Sequence, residues 1–140
     1  MKQIILSCLL LAGTISAIAQ CDKKNLISSV KTEYLNEKLE LQRTEDESST
    51  VQYDNKEIIV SPGNAPSMRG EIKSITCEWK TPYKEGKTVL KAALTGESGD
   101  AMNITLTVEN KEGKISVLFE IDDRPDRKIR LVVDKFEEVK

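Results

Sequence analysis

The sequence predicts an all-β fold: one antiparallel domain of about eight strands, arranged as an up-and-down barrel or a two-sheet β-sandwich. Three observations carry that expectation. Apolar and polar residues alternate with a period of two through most of the chain beyond residue 20. Short joints rich in Gly, Pro, Asn and Asp ("TPYKEGK", "TGESGD", "NKEG", "DDRPD") separate the alternating runs. Those joints are too short for crossover helices, so sequential strands must run antiparallel.

In the first half, "NLISSVKTEYL" places Leu26, Val30 and Tyr34 at a spacing of four that also fits a spacing of two. Its Val, Ile and Thr favour a strand, with a short N-terminal helix as the alternative. "EKLELQR" alternates with Leu39 and Leu41, and "RTEDESST" reads as a polar loop. "STVQYDNKEIIVSP" reads as a hairpin around Asp54 and Asn55, with Val51, Tyr53, Ile58 and Val60 available for burial. "SPGNAPSMRG" is the longest link without a pattern, expected to cross between sheets or over one end of a barrel.

The second half is clearer: a five-stranded meander from Glu71 to Glu137. Ile75, Cys77 and Trp79 share one face, as do Leu90, Ala92 and Leu94. Met102, Ile104, Leu106 and Val108 alternate with Asn103, Thr105 and Thr107. Ile115, Val117, Phe119 and Ile121 follow, then Ile129, Leu131 and Val133. Asn110 to Gly113 reads as a hairpin loop with Gly in the left-handed position. The meander favours the barrel, since a sandwich usually needs Greek-key crossings.

Residues 1–19 read as an export signal. Lys2 forms a short positive region, an apolar run follows, and Ala17, Ile18 and Ala19 give an A-x-A exit. Cleavage before Gln20 would leave residues 20–140 as one β domain, periplasmic or secreted, with no transmembrane segment. The competing expectation is a lipid anchor on Cys21, which Gln20 disfavours by its bulk. Cys21 and Cys77 remain after export, an even pair for which a structural disulfide is expected, with free thiols or lipidation as alternatives.

Composition narrows the function classes. Lys and Arg number 21 against 23 Asp and Glu, mild and mixed in sign, so nucleic acid is not an expected partner. The chain has no histidine, which removes Ser-His-Asp and Cys-His nucleophile systems and His-ligated metals. No cofactor motif is present. Catalysis would have to rest on groups such as Glu78 and Glu120 as a carboxylate pair of a hydrolase, and a non-catalytic role is the expectation.

Three segments are candidate sites. In "CEWKTPYKEGK", Trp79 and Tyr83 with Lys80 and Lys84 read as a binding rim, an aromatic pair with lysines for an anionic head group. The competing reading puts Trp79 in the core beside Cys77. Asp122, Asp123 and Asp126 in "DDRPD" form a weak cation candidate that Arg124 and Arg127 neutralise. Glu45, Asp46 and Glu47 in "TEDESS" are a solvated loop or a site for calcium or a basic partner.

A meander behind an export leader resembles the lipocalin-like style of architecture. The G-x-W of lipocalins near the first strand is absent, since Trp79 lies mid-chain in "CEWK", so the resemblance implies an architecture and neither a residue nor a ligand. The expected function is binding. One form is a small apolar ligand held by the face of Met102, Ile104, Leu106, Ile115, Val117 and Phe119. The other is an interaction or inhibitor domain for an envelope protein, with a closed core.

Overall fold

The structure, a computed structural model, describes residues 21–139. The period-two pattern folds into nine strands, with no helix among the described residues: β1 (Asn25–Leu35), β2 (Leu41–Glu45), β3 (Ser49–Tyr53), β4 (Glu57–Ser61), β5 (Met68–Thr81), β6 (Glu85–Thr95), β7 (Ala101–Lys111), β8 (Lys114–Ile121) and β9 (Arg124–Glu138). All pairings are antiparallel, as the short joints require.

The sheet closes on β1. One edge of β1 pairs with β9 from Asn25↔Glu138 to Leu35↔Lys128. The other edge is shared, by β3 over Asn25–Ser29 and by β2 over Thr32–Leu35. The closed ring is therefore β1-β3-β4-β5-β6-β7-β8-β9, an eight-stranded up-and-down barrel with β2 as an extra strand. The sandwich alternative is overturned, because one continuous sheet pairs with itself. At the seam, Arg130 sits opposite Glu33 and forks onto its carboxylate at 3.1 and 3.3 Å.

The helical alternative for "NLISSVKTEYL" is overturned too, and its origin is visible. Two register shifts between Ser28 and Lys31 interrupt the alternation of β1. Its buried positions are Asn25, Ile27, Ser29, Thr32 and Leu35, so spacing two becomes spacing three. Leu39 and Leu41 are exposed, at 47% and 53%, because β2 flanks the barrel and does not line it. The loop in "RTEDESST" shrinks to residues 46–48, between β2 and β3. The link in "SPGNAPSMRG" shrinks to residues 62–67, a direct β4–β5 connection at one barrel end.

The turns follow their chemistry. Glu112 and Gly113, at φ 54° and 80°, make a two-residue type I′ turn closing the Lys111↔Lys114 pair. Asp54 accepts N–H bonds from Lys56 and Glu57 at 2.7 and 2.8 Å, fixing the β3–β4 hairpin. Burial opposes ionisation of Asp54, but those two bonds and the Lys24 and Lys56 charges hold it below the usual carboxylate range.

The interior is packed at one end. Trp79 donates from Nε1 to Thr88 Oγ1 at 2.7 Å, and Phe136 packs against Trp79 and Tyr83 with centroids 5.6 and 4.9 Å away. Gly86 is needed here, since a Cβ would lie 2.5 Å from Trp79 Cα. The β5–β6 turn folds across this end: Tyr83, at φ 62°, donates its hydroxyl to Asn25 Oδ1, and Asn110 Nδ2 donates to the Tyr83 carbonyl at 3.1 Å. The Cys21–Cys77 disulfide, Cα atoms 6.2 Å apart, ties β5 to the segment ahead of β1. The structure thus forms the disulfide expected of this pair, and a sulfur in that bridge has no thiol left for the alternative, a lipid thioether. The bridge is consistent with an extracellular or periplasmic setting. The leader and its cleavage before Gln20 lie outside the described residues. No helix among the described residues is long and apolar enough to cross a membrane.

Candidate ligand cavity at the open end

Eight strands enclose an interior just wide enough to be filled by side chains or to hold one small ligand. This barrel is filled in one half and leaves a cavity in the other. Leu106, Val108 and Val117, all at 0% exposure, fill the half beneath the aromatic end. Toward the other end the inward positions are Thr32 on β1, Ser49 on β3, Val60 on β4 and Leu94 on β6, none of them aromatic. They leave a cavity of about 250 Å³, walled by Met68, Leu94, Met102, Ile104, Phe119 and Leu131 and rimmed by Tyr34, Glu47, Pro62 and Asn64.

Two residues of the lining carry buried polar atoms without partners. Thr32 is 3% exposed, and its Oγ1 has no hydrogen-bond partner. Glu47 Oε2 is buried and equally without one. Both residues line the cavity. An unmatched buried oxygen costs about 1–3 kcal/mol.

The rim is held by local bonds. Ser49 Oγ accepts from the Gly63 N–H at 3.3 Å, and Asn64 Nδ2 donates to Glu45 Oε2 at 3.4 Å, tying residues 62–67 to the start of β3 and the end of β2. The Arg43 guanidinium lies 4.0 Å from the Tyr34 ring centroid and bonds Glu45 at 3.2 Å. Lys31 Nζ lies 3.7 Å from Asp46. The nearby cations thus have their own acids, and no Lys or Arg lines the cavity. Burial pushes the Tyr34 phenol up, and the charges of Glu47 and Glu45 add to it.

The structure scatters the residues that the sequence singles out. Trp79 is 2% exposed in the core, and Tyr83 folds over the closed end. Lys80 and Lys84 are exposed at that end, away from the cavity. Trp79 and Lys80 do border a shallow outer depression with Glu78, Glu85, Lys87 and Glu109, whose charges are mixed in sign. Glu78 lies opposite Lys87 near the closed end, while Glu120 lies toward the other end, 3.5 Å from Lys128, so the two carboxylates do not face one cleft. Asp122 and Asp123 form the β8–β9 turn, and Asp126 lies on β9. Among the described residues no group of three or more acids or cysteines is placed to hold a metal ion. Of the "TEDESS" acids, Glu45 and Asp46 pair outward while Glu47 turns to the cavity.

Of the apolar face expected to line a ligand site, Met102, Ile104 and Phe119 do border the cavity, whereas Leu106 and Val117 fill the packed half. Thr32, Tyr34 and Ser49 escape sequence reading, because the shifts in β1 hide which residues point inward.

No protein-family model matches the chain, and neither a curated protein nor a solved structure was found to match it.

Proposed function

We propose that this protein is a non-catalytic binding barrel that holds one small, largely apolar molecule in its open end. The observation that carries this reading is the cavity of about 250 Å³, walled by aliphatic, thioether and phenyl groups with a few polar atoms at its rim. Apolar pockets with a few convergent polar groups are the common form of small-molecule sites. Met68 and Met102 suit such a wall, since unbranched thioethers adapt to different shapes. The rival expectation of an interaction domain rested on a closed core, and the unfilled half of the barrel weighs toward ligand binding.

Native mass spectrometry of the protein from its natural source tests the reading. The expected result is a discrete extra mass that leaves on denaturation, and its absence from a Leu94→Trp variant that stays folded. A bare mass, together with no uptake of short-chain amphiphiles by the purified protein, would overturn it.

A further inference from the structure

We infer that the cavity selects a compact, uncharged ligand the size of a substituted ring and excludes a carboxylate of the same shape. This rests on the ligand-binding reading and adds the size and charge class of the ligand.

Size sets the first limit. An apolar cavity of about 150 Å³ takes a benzene ring. By proportion, the cavity of about 250 Å³ suits about ten heavy atoms. Its floor is closed, since Leu106, Val108 and Val117, all at 0% exposure, fill the half beneath. An extended acyl chain would therefore leave most of its length in water. Met68, Met102 and Phe119 in the wall suit a ring, because thioethers and aromatic groups make favourable contacts with one.

Charge sets the second limit. Glu47 is the one acid among the lining residues, and neither Lys nor Arg lines the cavity. A carboxylate moved from water to an apolar wall is costly unless a cation pairs with it. Lys80 and Lys84, which the sequence offers for an anionic head group, lie exposed at the other end. Arg43 and Lys31, nearer the rim, pair with Glu45 and Asp46. Asn64, the one amide side chain of the lining, donates to Glu45 as well. The Tyr34 phenol, also in the lining, already resists becoming an anion. Burial raises it most, and the Glu47 and Glu45 charges add to that, against the pull of Arg43. A ligand carboxylate would meet the same two obstacles, lost hydration and like charge.

Three probes that share one ring test the inference on the folded, oxidised chain: para-cymene, para-nitrocumene and para-isopropylbenzoate. The nitro group has the planar form of the carboxylate without its charge. NMR titration near neutral pH follows the Met68 and Met102 methyl signals, which locates the probe as well as measuring its affinity. Both uncharged probes are expected to move these signals to saturation. The benzoate is expected to bind at least about a hundredfold more weakly than nitrocumene. Glu47→Lys puts a cation at the rim. It should bring the benzoate to within about tenfold of nitrocumene and leave para-cymene nearly unchanged. Benzoate binding as tight as that of nitrocumene, or no gain in benzoate affinity in a folded Glu47→Lys variant, would overturn the charge selection and leave the cavity reading intact. Methionine signals unmoved by all three probes would overturn both.

Discussion

The two ends of the barrel are built from the same eight strands and behave differently. At the closed end, Trp79, Tyr83 and Phe136 stack inside and over the opening, with Thr88, Asn25 and Asn110 bonded to them. At the open end, aliphatic and thioether groups with Phe119 line the wall and leave space. Buried oxygens without partners occur at both: Asn110 Oδ1 and the Tyr53 hydroxyl at one, Thr32 Oγ1 and Glu47 Oε2 at the other. The difference is room. Thr32 and Glu47 belong to the cavity lining, whereas Asn110 and Tyr53 do not. Side-chain volume at the inward positions, not strand topology, divides the barrel into a packed half and a half that leaves a cavity.

The sharpest way to break this comparison is to truncate one large side chain at each end. Trp79→Ala should cost about 5 kcal/mol, the upper part of the range for a buried aromatic, because the Thr88 hydroxyl also loses its donor. Met102→Ala should cost only about 1 kcal/mol, since the side chain already borders empty space. Urea unfolding of the two variants checks this, and equal losses would mean that the ends are packed alike.

Next in size is the disulfide. It closes a separation of 56 residues at the packed end. Cys21→Ala with Cys77→Ala should lower stability by about 4 kcal/mol on the chain-entropy account, read as a shift in the urea midpoint. Ligand uptake at the far end of the folded fraction should persist. Loss of uptake without unfolding would couple the two ends.

The smallest expected effect is an alkaline one. Burial, with the Glu138 charge, pushes the Tyr83 phenol up to about 12. The fold holds this phenol neutral, while the unfolded chain ionises it near pH 10. Its contribution is thus fully present below that pH and is lost as pH rises toward 12. Tyr83→Phe should flatten part of the fall in stability between about pH 10 and 12. A residual slope should remain from Tyr53 and Tyr34, whose phenols burial also pushes up. An unchanged slope would show that Tyr83 is not held in the closed end as the structure places it.

Much of the fold was legible because strand patterning is local. The alternation from Ile75 to Val133, and turns such as "NKEG", are written in adjacent residues, and the structure reproduces them as β5 to β9. The site was far less legible. The aromatic and lysine content of "CEWKTPYKEGK" suggested a rim, yet Trp79 and Tyr83 close the end opposite the cavity. Glu47 stood out only as part of an acidic run. Nothing in "NLISSVKTEYL" revealed that Thr32 points inward, because the register shifts that turn it depend on pairing with β9.

The sequence alone therefore determined the strand pattern, the antiparallel order and the absence of any histidine-based chemistry. Periodicity, joint length and composition act through neighbouring residues. Only the tertiary structure decided which strand closes the ring, which aromatic rings plug one end, and which residues line the cavity at the other. Closure brings together β1 and β9, the two ends of the described chain. The volume left inside depends on side chains from all eight barrel strands at once, which no local stretch of sequence can record.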